Sequence, residues 1–192
     1  MLTQKEFLKN VVEKLQQADI EYVICGSMAA SFYGVERSTQ DADIIINPTE
    51  EQLTKFLNLL GGTYYVSVET ARNALKQRTM FNIIDMENAW KADLIIRKQT
   101  DFNIEEFDRK RKESLLGKDL YILSPEDTVL SKLVWAKQSM SQQQHNDVMK
   151  VLEVHSGRLD IGYLNKWAKI LDIETDLNVC LSQIKSIDKS DS

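Results

Sequence analysis

The chain has 192 residues, of which 43% are hydrophobic and 28% charged, with only two prolines, a composition that excludes a disordered polypeptide and allows a sizeable core. A net charge of −5 and a pI near 5.2 argue against general electrostatic capture of nucleic acid. Two cysteines far apart, Cys25 and Cys180, without metal-ligand spacing, read as free thiols of a reducing compartment; with no apolar run of membrane-spanning length and no secretory segment in residues 1–10, a cytoplasmic protein is expected.

In chain order, Phe7, Val11, Val12 and Leu15 recur at helical spacing over Thr3 to Gln17, and Thr3 with Glu6 makes a capping box. Tyr22 to Cys25 is a short apolar strand. Gly26-Ser27 follow, then a small-residue helix from Met28 to Tyr33 that Gly34 should stop. Asp43 to Ile46 is a second strand, headed by Asp41-Ala42-Asp43. A helix from Thr49 to Leu60 is closed by Gly61-Gly62. Tyr64 to Val68 suggests an edge strand and Ala71 to Lys76 a short helix. Two strands, one around Phe81 to Met86 and one around Ala92 to Ile96, form a hairpin across Glu87 to Trp90. A charged helical stretch and a short strand, Asp119 to Leu123, complete the first part.

From Ser124 the composition turns helical. Ser124-Pro125 is a strong start signal, and Val129, Leu130, Leu133, Val134 and Trp135 give the expected buried stripe. Ser141 to Gln144 reads as a junction, followed by helices at His145 to Val154, Ile161 to Leu171 and Thr175 to Ile184. The expected organisation is a core over residues 1–123 and a C-terminal helical region, packed on it, over residues 124–192.

Residues 25 to 46 carry most of the chemistry. Gly26 permits a tight turn and close approach of a ligand to the backbone. N–H groups at the start of the next helix, near Ser27, favour an anion, and the Ser27 hydroxyl adds a donor. About fifteen residues on, Asp41 and Asp43 lie two apart on one face of a strand, roughly 6.5–7 Å apart. Two like charges at a sheet edge are costly without a cation. Mg²⁺, held by one or two carboxylates together with substrate phosphates, answers that cost. Either motif alone is commonplace; the pair in this order and at this distance is much more specific.

Gly26-Ser27 followed by Asp41-Ala42-Asp43 resembles the signature of the nucleotidyltransferase superfamily with the DNA polymerase β type of core. The longer string through Met28-Ala29-Ala30, Tyr33-Gly34 and Arg37-Ser38-Thr39-Gln40 resembles a narrower branch of small bacterial nucleotidyltransferases that includes the AbiEii-like toxins of type IV toxin–antitoxin systems. The resemblance implies an α/β (α+β) fold: a mixed β-sheet nucleotidyltransferase core flanked by helices, with a C-terminal helical region. It also implies an NTP donor, metal-holding aspartates, Mg²⁺, and transfer of a nucleoside monophosphate to RNA, protein or a small molecule, with an antitoxin protein as a further partner.

The family uses a third carboxylate on a later strand. Asp85 and Asp93 both qualify; Asp93 is preferred because it interrupts an apolar run, where an uncompensated carboxylate is expensive, whereas Asp85 adjoins a turn. By resemblance Asp93 would deprotonate or position the acceptor hydroxyl. Arg37 suits a triphosphate oxygen or a structural pair with Glu36 or one of the aspartates. Thr39 reads as a loop-shaping hydroxyl. Lys132 can approach the nucleotide or remain a solvated helix lysine. Arg109 to Lys112, with Lys118, is either a solvated helix face or a landing site for a phosphate-bearing acceptor such as tRNA. The chain departs from the group's tail pattern, a Lys-Asp pair and a second Asp one turn later: in Gln144-His145-Asn146-Asp147 only Asp147 matches. His145 and His155 read as surface or packing residues.

Overall fold

The computed structural model describes residues 3–35, 41–115 and 117–190, without the side chains of 115, 118 and 185–190. Its elements in chain order are α1 (Gln4–Gln17), β1 (Tyr22–Ile24), α2 (Gly26–Phe32), β2 (Asp41–Ile46), α3 (Glu50–Leu60), β3 (Tyr64–Tyr65), α4 (Val68–Gln77), β4 (Met80–Asp85), β5 (Lys91–Ile96), α5 (Asp101–Asp108), β6 (Arg111–Leu115), β7 (Lys118–Ile122), α6 (Pro125–Ser139), α7 (Gln142–Val154), α8 (Ile161–Ile170) and α9 (Glu174–Ser190). This is an α/β fold with one mixed sheet.

The chain forms two compact units: Met1–Met28 with Ser38–Leu123, and Ala29–Arg37 with Ser124–Ser192. The first contains the sheet, ordered β3-β4-β5-β2-β1-β7-β6. β2 runs parallel to β5 and antiparallel to β1, and β1 runs parallel to β7. The central pair sorts side chains by alternation. On one face Ala42 and Ala92, Ile44 and Leu94, and Ile46 and Ile96 stand in register, all fully buried. The other face begins in charge and ends in apolar packing, where Ile45 and Ile95 meet Val23, Cys25, Leu123 and Phe107 of α5.

The helix signals resolve into caps. Thr3 and Thr49 each accept from the N3 backbone while Glu6 and Gln52 reach back, two full capping boxes. Ser124 caps α6, with Pro125 in its first turn. In the second unit α6, α7, α8 and α9 pack together. Tyr163 on α8 donates its hydroxyl to the buried Asp127 carboxylate, and the Asp160 backbone N–H donates to buried Glu126.

Four local expectations are corrected. The strand foreseen at Tyr64 to Val68 ends at Tyr65, because Ser67 caps α4 by accepting from Thr70 N–H and so turns Val68 into a helical residue. The basic run after Asp108 is not a helix face. Arg111 and Lys112 begin β6, an edge strand, where charged side chains suit a border that has no further strand to pair with. Trp135 is not in the α6 stripe; it is 60% exposed, while Val129, Leu130, Leu133 and Ala136 are buried. The fourth concerns Lys132, which is buried rather than solvated.

Candidate active site

Parallel pairing of β2 with β5 decides which carboxylates meet. Asp43 stands in register with Asp93, and Asp41 with Lys91. Each strand shows the same face at alternate positions, so these four side chains form two adjacent rungs, continued toward the core by Ile45 and Ile95. Asp93 is 8% exposed. The Lys91 ammonium lies 3.1 Å from Asp93 Oδ2 and 3.4 Å from Asp41 Oδ2. Partial burial works against that ammonium's charge, but the carboxylates of Asp93 and Asp41 more than offset it and hold its pKa above the usual lysine value.

The glycine turn is built against the same carboxylates. Gly26 has φ +60°, and a Cβ placed on it would lie 2.1 Å from Asp43 Oδ2. The backbone therefore approaches Asp43 more closely than any side chain permits. The strand edge is pinned beside it, where Cys25 N–H donates to the Asp43 carbonyl at 2.9 Å. Ser27 is the second residue of α2 and is half-buried. Arg37 and Thr39 lie outside the described residues.

Asp85 has another occupation. Its Oδ1 accepts from Glu87 N–H and Asn88 N–H, each at 2.8 Å, closing the β4–β5 turn. Lys132 and Asp147 belong to the second unit, where Lys132 Nζ pairs with Asp147 Oδ2 at 2.7 Å and donates to Gln144 Oε1 at 2.9 Å. Both partners are almost fully buried. The one residue of the Asp147 stretch that fits the tail pattern is thus tied to Lys132. His155 packs edge-on against Tyr33, with ring centroids 5.2 Å apart. Lys91 was not singled out in the sequence; a cation two positions before Asp93 on a strand is the signal that could have found it.

Among the described residues no group of three or more His, Cys, Asp or Glu side chains closes into a metal-ligand cluster. The carboxylates are instead spread around an ammonium. Their chemistry fits Mg²⁺ all the same: hard oxygen donors of the kind it takes, a cation already seated between two of them, and Asp93 Oδ1 buried with no hydrogen-bond partner among the described residues. With all four side chains ionised, three carboxylates and one ammonium leave two negative charges, the amount one divalent cation neutralises. Among the described residues no helix is long and apolar enough to cross a membrane.

No family model matches the sequence, and no curated protein is significantly similar to it. Solved structures are similar in fold. An antigenic nucleotidyltransferase-like protein from Paracoccidioides brasiliensis superposes with a TM-score of 0.58 at 15% identity, over 93% of this chain and 92% of its own. ANT(2″)-Ia in complex with adenylyl-2″-tobramycin gives 0.57 at 10% identity, over 95% and 97%. The lincosamide antibiotic adenylyltransferase LnuA, bound to lincomycin, gives 0.56 at 14% identity, over 80% and 98%. Nearly the whole chain therefore has the nucleotidyltransferase fold, with Asp41, Asp43 and Asp93 on two neighbouring strands of its sheet.

Proposed function

We propose that this protein is a Mg²⁺-dependent nucleotidyltransferase that moves a nucleoside monophosphate from an NTP to a hydroxyl acceptor. The observation that carries this reading is the register of Asp43 with Asp93, beside Asp41, on the sheet face that the Gly26 turn approaches. Asp41, Asp43 and Asp93 are the residues that would hold the metal. Bound there, Mg²⁺ would orient the triphosphate and neutralise charge building on the leaving group.

The chain's own residues do the rest. Gly26 lets the backbone come close to the phosphates, and the Ser27 hydroxyl donates to one of them. Arg37 is assigned a further triphosphate oxygen. Lys132 is occupied by Asp147 and Gln144 within the second unit and carries no step of this reading. The acceptor oxygen attacks the α-phosphorus, the bond from that phosphorus to the α–β bridging oxygen breaks, and pyrophosphate leaves. The Asp93 carboxylate takes the acceptor's proton or orients the hydroxyl that loses it.

RNA, protein and small molecules are all admissible acceptors. The antibiotic derivative and the antibiotic named with two of the similar structures make a small-molecule hydroxyl one specific class to try. The AbiEii-like motif string supports a toxin–antitoxin role, in which the same chemistry falls on a cellular RNA or protein and a partner protein restrains it. Growth arrest on expression, relieved by a neighbouring gene product, would mark that role, and harmless overexpression would count against it.

The deciding experiment is incubation with each labelled NTP, Mg²⁺ and separated RNA, protein and metabolite fractions. Label should enter one fraction, and Asp43→Asn should lower that transfer on the order of 10²- to 10⁴-fold while the fold stays intact. Full activity in Asp43→Asn would remove the assignment. NTP binding without turnover on any fraction would make the chain a nucleotide-binding domain instead.

A further inference from the structure

Lys91 has no part in the motifs that point to nucleotidyl transfer, yet the structure places its ammonium against two of the carboxylates. Its position follows from topology. β5 opens on Lys91, directly across from Asp41, and presents Asp93 two residues later on the same face. One side chain therefore reaches a carboxylate on its own strand and another on the neighbouring strand. Solvent access is graded across the three: the side chains of Asp41, Lys91 and Asp93 are 49%, 31% and 12% exposed. The drier carboxylate is also the one with a buried oxygen that has no partner among the described residues. Left without Lys91, Asp93 would face two other carboxylates across a sheet with no counter-charge among the four rung side chains.

The geometry points to Lys91 as a tethered counter-cation that occupies Asp41 and Asp93 before a divalent cation binds, and that competes with the divalent cation for them. This rests on the reading of the site as a metal-dependent nucleotidyltransferase. Two consequences share one direction. Removing the ammonium frees two ligands from a competitor, and it deepens the negative charge that a divalent cation meets. Metal affinity should then rise when Lys91 is neutralised, the opposite of what loss of a merely structural ion pair would give. The carboxylates themselves should behave in the ordinary way, losing affinity when neutralised.

The test titrates Mn²⁺ alone, without nucleotide, into the full chain, with free ion followed by electron paramagnetic resonance. Lys91→Met should bind Mn²⁺ about tenfold tighter than the parent, or about 1.4 kcal/mol. Asp41→Asn should bind it more weakly. Lys91→Gln, which keeps side-chain length and a hydrogen-bond donor, guards against misfolding of the first variant and should tighten binding in the same sense. In thermal melts with EDTA, Lys91→Met should unfold at a lower temperature than the parent and recover more on addition of Mn²⁺. Unchanged or weaker Mn²⁺ affinity in both lysine variants overturns the inference, as does the absence of Mn²⁺ binding in every protein. The two readings fail separately. Nucleotide transfer by the parent with no tightening in the variants removes Lys91's role alone, whereas tightening without any transfer removes the enzyme assignment and leaves the competition at Lys91 standing.

Discussion

Two lysines in this molecule sit among carboxylates, and they do so in opposite ways. In the second unit Lys132 and Asp147 form a one-to-one pair, each side chain about 5% exposed, completed by Gln144. In the first unit Lys91 stands against Asp41 and Asp93, next to Asp43, in a group with an excess of negative charge that grades from buried to half-exposed. A matched, dry pair satisfies itself. Each charge justifies the burial of the other, and stripping one partner leaves an uncompensated ion. Three carboxylates and one ammonium on two adjacent rungs are a different case: hard oxygen donors at the wet end of a sheet suit a further cation. The difference separates an ion pair that holds helices together from one that favours a cation, though the two look alike as sequence letters.

The comparison breaks most visibly if stability does not follow it. Lys132→Met should cost about 3–5 kcal/mol by taking the ammonium from the buried Asp147 carboxylate, whereas Lys91→Met at a partly exposed site should cost under about 1 kcal/mol in metal-free urea unfolding. A Lys132→Met/Asp147→Leu double variant should recover most of the loss, and equal costs for the two single lysine variants would show the distinction to be false. The next effect sharpens the wet side. Gly26→Ala places a methyl where Asp43 Oδ2 already stands and forces a non-glycine residue to φ +60°. A destabilisation of about 1–3 kcal/mol is expected, with Asp43 displaced in the crystal structure of the variant. An unshifted Asp43 would mean that the turn does not set its position. Smallest is Thr3→Ala, far from both clusters, which removes the acceptor for Glu6 N–H and should cost about 1 kcal/mol in the same unfolding assay.

How much of this was legible beforehand depended on whether the signal was local. The capping box at Thr3, the Ser124-Pro125 start and the Asp85 turn involve partners three residues apart or fewer, so spacing alone discloses them. The Gly26 turn and the Asp41–Asp43 doublet were likewise readable as a motif. Signals that depend on a distant partner were misread. Lys132 looked solvated because nothing within a few residues neutralises it, and Trp135 looked buried because it adjoins a hydrophobic stripe. In the fold Asp147, fifteen residues on, draws Lys132 inward, and the helix turn carries Trp135 outward. The run at Arg109 to Lys112 was read as part of a charged helical stretch; pairing with β7 makes its second half a strand.

The sequence by itself determined the local grammar: where helices start and stop, that a glycine turn precedes a carboxylate doublet, and that Asp93 interrupts an apolar strand. Tertiary structure alone decided that Asp93 lines up with Asp43 and that Lys91 stands between Asp41 and Asp93. The physical reason is register. Within a strand, side-chain direction follows from alternation along one chain, but which residues of two strands face each other is fixed by the hydrogen-bond ladder between them, and a slip of one residue would turn every side chain of one strand to the opposite face. Charge neutralisation across strands is a property of that ladder, and no spacing within the chain encodes it.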